Sequence, residues 1–376
     1  MTTVELLSET VGSARLREAT VFAELRKNAG GKIALFGAGH LGRKTLEALR
    51  RAEVEPAAFV DNDHSLHGTQ VDGVPVWMPA AAAERLGGDG LFVVTTFLPH
   101  GGGVRSRLDE LAALGCRHST SFLAVGWMYE GVLPHFGADR PSRLLARAPD
   151  LVRVAGLWCD DQSRETYRRQ LEWRLLANFG PAERPAPHQY FPRDIIRPNP
   201  NESFVDGGAF DGDTLRSAPW EFARILAIEP DPASAQKLRN CAGATLTVHE
   251  KLLGGAAGSA RFNGGGTMAS CRSDSGALEI PIVTLDQLTH GERPTFIKLD
   301  VEGDELRALQ GGRKTLRECQ PVVAVCAYHR PEDLWTLPLF LHETLPAHRL
   351  YLRAHAGDGF ELVVYAVPEE RCQKST

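Results

Sequence analysis

The chain has no Cys-x-x-Cys pair. Its seven cysteines stand singly at positions 116, 159, 241, 271, 319, 326 and 372. An odd, scattered set offers neither a disulfide framework nor a structural zinc site, and fits thiols kept reduced in a cytosol. No apolar run approaches the ~20 residues that a bilayer-spanning helix needs. The first sixteen residues lack the basic start and apolar centre of a secretory leader, because Glu5, Glu9 and Arg15 interrupt the aliphatics. Positive charge is not in excess: 42 Lys and Arg against 47 Asp and Glu leave a formal charge of -5. That balance argues against a general binder of nucleic acid or of anionic membranes. What is present is ordinary for a globular protein, 43% apolar and 24% charged, and 376 residues suffice for two domains.

The second half is organised around Phe204-Val205-Asp206-Gly207-Gly208-Ala209-Phe210-Asp211-Gly212-Asp213-Thr214. A short apolar run ends in an acid and a glycine turn, and a helix is expected after it. Downstream, Ile225-Leu226-Ala227-Ile228-Glu229-Pro230-Asp231 reads as a second buried strand ending in an acid. This is the βαβ pattern of a nucleoside-binding crevice, in which glycines admit the ligand and the second acid accepts bonds from a ribose. The spacing is Asp-x-Gly-x-x-x-Gly rather than the Gly-x-Gly-x-x-Gly that gathers donors on a pyrophosphate. A carboxylate opening the loop suits a cationic ligand without phosphate, such as S-adenosylmethionine.

Two further strands are expected to run into polar ends. They are Phe296-Ile297-Lys298-Leu299-Asp300-Val301-Glu302-Gly303 and Pro321-Val322-Val323-Ala324-Val325-Cys326-Ala327-Tyr328-His329. Strands alternate with helices, which favours a mainly parallel sheet with right-handed crossovers. A β excursion is expected over 259–263 and 278–283, with the small, polar stretch 264–275 between them as a candidate lid. Residues 350–353 and 361–367 are expected as a closing antiparallel pair.

The segments from Phe204 to Thr214, Ile228-Glu229-Pro230-Asp231-Pro232, Ile297-Lys298-Leu299-Asp300-Val301-Glu302-Gly303, Leu309-Gln310-Gly311-Gly312 and Tyr328-His329-Arg330-Pro331-Glu332-Asp333-Leu334-Trp335 resemble FkbM-type S-adenosylmethionine-dependent methyltransferases. The resemblance covers roughly residues 201–367. It implies a class I methyltransferase domain and O-methylation of a small-molecule hydroxyl, sugar-containing or of a secondary metabolite. It implies cofactor contacts from Asp206, Gly207, Gly208, Ala209, Phe210, Asp211, Gly212, Glu229, Pro230 and Asp300. Asp206 and Gly208 would lie by the amino-acid part of the cofactor and Glu229 by its ribose.

Methyl transfer from a sulfonium is an in-line displacement, and the acceptor usually loses a proton. Asp300, Glu302 and His329 are the catalytic candidates. Asp300 and Glu302 flank one residue and point the same way on an extended strand. With His329 they would suit either a base oriented by a carboxylate or a divalent cation, Mg²⁺ or Mn²⁺. The bland alternative has Asp300 touching the cofactor, Glu302 capping the next helix and His329 bonded to a backbone carbonyl.

The first half carries its own glycine loop. Lys32-Ile33-Ala34-Leu35-Phe36 enters Gly37-Ala38-Gly39-His40-Leu41-Gly42, and Asp61 closes the next strand 19 positions after Gly42. Gly37, Gly39, Gly42 and Asp61 are thus candidates for a second nucleotide or nucleotide-sugar site. A Rossmann-like domain that keeps its turn glycines for packing is the equal alternative. The organisation expected is an α/β chain with two Rossmann-like domains. Residues 1–130 form the first, 131–200 a helical, proline-rich connector that covers the pocket, and 201–376 the methyltransferase domain. In that connector Tyr190, Phe191 and Arg193 are candidate pocket residues. The whole is expected to be a cytoplasmic enzyme acting on a small molecule, with no nucleic-acid or membrane partner and with homo-oligomerisation left open. The rival reading is a nucleotide- or NAD(P)-binding protein whose second half is a non-catalytic scaffold.

Overall fold

The computed structural model describes the chain except residues 99–102, 135, 181–184, 242–244, 265–270, 273–275 and 374–376. The expected lid at 264–275 lies mostly outside the described residues. The chain divides into two compact units, one comprising Met1–Ala155, Glu165–Pro185 and Ala356–Phe360, the other Gly156–Arg164, Ala186–His355 and Glu361–Thr376. The stretch 131–200 is shared out between them.

In the first unit, strands β1 (Lys32–Phe36), β2 (Ala58–Val60), β3 (Gln70–Val71), β4 (Val74–Trp77), β5 (Gly90–Val94) and β6 (His118–Ser121) form one sheet in the order β3-β4-β2-β1-β5-β6. All pairings are parallel except β3 with β4. The apolar runs of β1 and β5 are buried along nearly their whole length, as parallel strands covered on both faces require. The helix after the Gly37–Gly42 loop runs His40–Arg51 and starts at an N-cap, Gly39, with no side-chain bond. Within the connector a helix runs Asp161–Leu176. Its Tyr167, Leu171 and Leu175 are buried as the spacing demands, whereas Leu176 is exposed and Arg174 is buried. Arg174 is accommodated because its guanidinium donates to Gly137 O at 2.8 Å and to Gln170.

The second unit holds β7 (Ser203–Gly207), β8 (Arg224–Ile228), β9 (Leu246–His249), β10 (Leu252–Leu253), β11 (Gly258–Asn263), β12 (Cys271–Arg272), β13 (Leu278–Val283), β14 (Phe296–Leu299), β15 (Val322–Cys326), β16 (His348–Ala354) and β17 (Leu362–Pro368). Its main sheet has the order β16-β17-β15-β14-β7-β8-β9. Strands β9, β8, β7, β14 and β15 are parallel, and β17 enters antiparallel between β15 and β16. The closing antiparallel pair and the excursion, a small sheet of order β10-β13-β11-β12, both match the sequence pattern. The chain reverses direction of build-up between β7 and β14, the switch point where ligands of open α/β sheets sit. Among the described residues no helix is long and apolar enough to cross a membrane.

Candidate active site

The glycine loop after β7 is shaped by its own backbone. Gly208 N and Ala209 N both donate to Ile228 O, at 2.9 and 3.1 Å, and Phe210 N donates to Glu229 Oε2 at 2.8 Å. Three consecutive amides are therefore spent inside the protein and do not form a nest for a phosphate. Gly208 has φ +74, and a Cβ there would stand 1.8 Å from Asp300 O, so no other residue fits between β7 and β14.

Asp206 does not cap the following helix, whose N-cap is Gly212. Its side chain is fully buried, with Oδ1 3.0 Å from Lys298 Nζ. Lys298 also donates to Gly208 O at 2.6 Å, so this lysine ties β14 to the loop. Burial alone would lower the Lys298 ammonium, but Asp206 and Asp300 reverse that and keep it charged. Burial pushes the Asp206 carboxyl up against the pull of Lys298. Asp206 Oδ2 is buried and has no hydrogen-bond partner among the described residues.

Glu229 is nearly buried, and its other oxygen accepts from Asp231 N at 2.8 Å. Burial pushes its carboxyl up to about 7, opposed by the Asp231 and Phe210 amides. Asp231 caps the helix Pro232–Arg239 by accepting from Ser234 N. Asp211 pairs with Arg216 at 2.6 Å, on the outer side of the loop.

The structure brings Asp300, Glu302 and His329 together. His329 Nε2 lies 3.5 Å from Asp300 Oδ1 and 3.7 Å from Glu302 Oε2. The bland alternative fails on two counts. The helix after Glu302 has Asp304 as its N-cap, with no side-chain bond, and His329 Nδ1 faces a carboxylate, Glu305 Oε1, at 2.8 Å. Glu302 takes φ +52 and Gly303 φ +96, so the chain turns sharply and carries both acids toward the histidine.

Burial works against a charged His329, but Glu305, Asp300 and Glu302 outweigh it and hold the imidazole up at about 10. Burial lifts the Glu302 carboxyl to about 7 despite His329. Burial would raise Asp300 too, yet Lys298, His329 and the Tyr190 hydroxyl keep it below its ordinary value. Tyr190 donates to Asp300 Oδ2 at 2.8 Å, while its own backbone N–H bonds Tyr365 OH. Of the pocket candidates before β7, Tyr190 thus reaches the cluster, Phe191 packs against Phe204 and Phe296, and Arg193 bonds Pro219 O at 3.2 Å.

Glu305 escaped the sequence reading, as did Glu361, which Tyr328 OH contacts at 3.4 Å. Glu305 looks in sequence like one more first-turn acid of an exposed helix, and only burial marks it out. One donor atom each of Asp300, Glu305 and His329 lie within 4.8 Å of one another, close enough for a cation. Glu305 Oε1, however, is already shared by Val301 N, Gly303 N and the imidazole.

In the first unit, Asp61 is turned to its own loop: Oδ2 accepts from Ala38 N at 2.8 Å and Oδ1 from Asp63 N at 2.9 Å. Gly42 packs so closely that a Cβ would stand 1.9 Å from Gly37 O. Gly37 and Gly42 therefore have structural reasons to be glycine, and His40 lies exposed at the helix start.

A sheet with this strand order, a glycine loop after its first strand and acids at the next strand ends defines a class I methyltransferase fold. The crystal structure of methyltransferase FkbM from Methylobacillus flagellatus KT superposes with TM-score 0.71, covering 95% of this chain and 99% of that one at 23% identity. At that identity the likeness is one of fold. Residues 206–358 match the family model of the methyltransferase FkbM domain. That stretch is similar to the FkbM methyltransferase domain and takes in the glycine loop, Glu229, Asp300, Glu302 and His329. No curated protein matches the chain.

Proposed function

We propose that the second unit takes S-adenosylmethionine as methyl donor and methylates a hydroxyl of a small molecule, sugar-containing or a secondary metabolite. The loop carries the reading. Its amides at 208, 209 and 210 are all spent, and the carboxylate beside them keeps one buried oxygen unpartnered. Spent amides leave a phosphate no donors, and the carboxylate beside them favours a cationic amine over an anion. Asp206 Oδ2 would accept from the amino group of the donor. Glu229, with one lone pair on each oxygen still open, would accept from the ribose hydroxyls. The donor supplies an electrophilic methyl on a sulfonium.

The protein's own part is to place the acceptor and take its proton. Glu302 is the most open member of the cluster, 31% exposed against 2% for His329. Its carboxyl titrates near neutrality, where a general base works best. His329, held cationic behind it, would orient the Glu302 carboxylate and keep it ionised until the proton arrives. Asp300, bonded by Tyr190, would hold the acceptor hydroxyl in line.

Mass spectrometry of the purified protein tests the reading. S-adenosylmethionine or its demethylated product carried through purification is expected. A nicotinamide or nucleotide-sugar alone, with no affinity for S-adenosylmethionine by calorimetry, would favour the rival in which the second unit is a scaffold.

A further inference from the structure

Glu305 opens the helix Glu305–Gln310 and is completely buried. Its Oε1 accepts from Val301 N at 2.9 Å and Gly303 N at 3.3 Å, and stands 2.8 Å from His329 Nδ1. One oxygen therefore touches both ends of the machinery. It braces the left-handed turn that carries Glu302, and it holds the inner edge of the imidazole. A buried acid is costly unless its charge is used. Two backbone N–H groups could be met by a neutral side chain, so the contact that calls for a carboxylate here is the histidine.

We propose that Glu305 is a positioning residue for the methyl transfer: it holds the Nδ1 edge of His329 and so aims Nε2 at Asp300 and Glu302. This is the arrangement by which a carboxylate orients an imidazole and favours its protonated form. The inference rests on the methyltransferase reading of the same site. The groups around the ring come from every element packed on it. Asp300 and Glu302 follow β14, Glu305 opens its helix, Asp333 lies on the helix Asp333–Thr344, and Glu361 precedes β17; all five act electrostatically on the imidazole or share its field. Glu305 faces Nδ1 at 2.8 Å.

The test uses the full chain with ¹⁵N-labelled histidine rings, His329 assigned through His329→Gln. Wild type is expected to show His329 with a protonated, hydrogen-bonded Nδ1. In Glu305→Gln the amide oxygen still accepts from Nδ1, so that signal is retained while its titration midpoint falls by about one pH unit or more. In Glu305→Leu the signal is lost and the ring exchanges between tautomers. His355, bonded to Ala186 O and Tyr365 OH, is the internal control for the fold. A retained Nδ1–H signal in Glu305→Leu, or an unchanged midpoint in Glu305→Gln, overturns the proposal. Should Glu305→Leu not fold, the Gln midpoint decides alone. Calorimetry with S-adenosylmethionine on the wild type reports separately on the methyltransferase reading.

Discussion

Lys298 Nζ lies 3.0 Å from Asp206 Oδ1, with neither side chain reaching water, and the same ammonium donates to the carbonyl of Gly208. The two residues sit in register on adjacent strands. One ion pair thereby fixes the loop, joins β7 to β14 and leaves a second carboxylate oxygen pointing elsewhere. Breaking a buried pair from one side strands a charge, at about 3–5 kcal/mol. Lys298→Met should lose about that much stability in urea denaturation, and adding Asp206→Asn should recover part of it. A single variant within about 1 kcal/mol of wild type would show that the pair is not charged.

Glu229→Gln addresses the donor site. An amide can accept only one of the two backbone N–H bonds that Glu229 receives from Phe210 and Asp231. Donor affinity by calorimetry should fall by about 1.5–3 kcal/mol, the range for hydrogen bonds to a charged group. Equal affinity in the two proteins would remove Glu229 from the site.

His329 should leave a signature in the pH dependence of stability. Its folded-state pKa of about 10 exceeds the ordinary 6.5. The folded state therefore holds its proton more tightly, and the extra stability is complete below about 6.5 and is lost as pH rises through about 10. Wild type should lose on the order of 2–4 kcal/mol more than His329→Gln across that window. Parallel curves would mean that the ring is neutral in the folded protein.

Chelation separates the two chemistries that the cluster allows. With Glu305 Oε1 accepting from two backbone amides and lying against His329, methyl transfer to an extract of small-molecule acceptors is expected to survive EDTA. Activity abolished by EDTA and restored by Mg²⁺ or Mn²⁺ would make Asp300, Glu302 and His329 a metal centre.

The first unit should play no redox part. Turnover is expected to be indifferent to added NAD(P), because Asp61 already holds Ala38 and Asp63. Gly42→Ala, which drives a methyl into Gly37 O, should destabilise this unit without changing donor affinity in the second. NAD(P)-dependent turnover would reverse the assignment.

Much of this was legible in sequence, for definite reasons. Strands buried on both faces must be apolar along their length, so β1, β5, β7, β14 and β15 announce themselves. A loop squeezed between two strands must be glycine, so Gly42 and Gly208 stand out, and acids at strand ends mark the crevice. The sequence by itself therefore pointed to two α/β units, to a mainly parallel sheet closed by an antiparallel pair, and to Asp206, Glu229, Asp300, Glu302 and His329 as the candidate groups. It could not determine what those groups bond. Whether Asp206 caps a helix or faces Lys298, and whether His329 meets a carbonyl or Glu305, depends on residues 92 and 24 positions away. Only the tertiary structure decides those, because the field at a buried carboxylate is set by which strangers in sequence the packing brings within 3–4 Å, where water no longer screens them. Glu305 is the plainest instance: an unremarkable helix-start acid in the chain, and in the fold the buried support of His329.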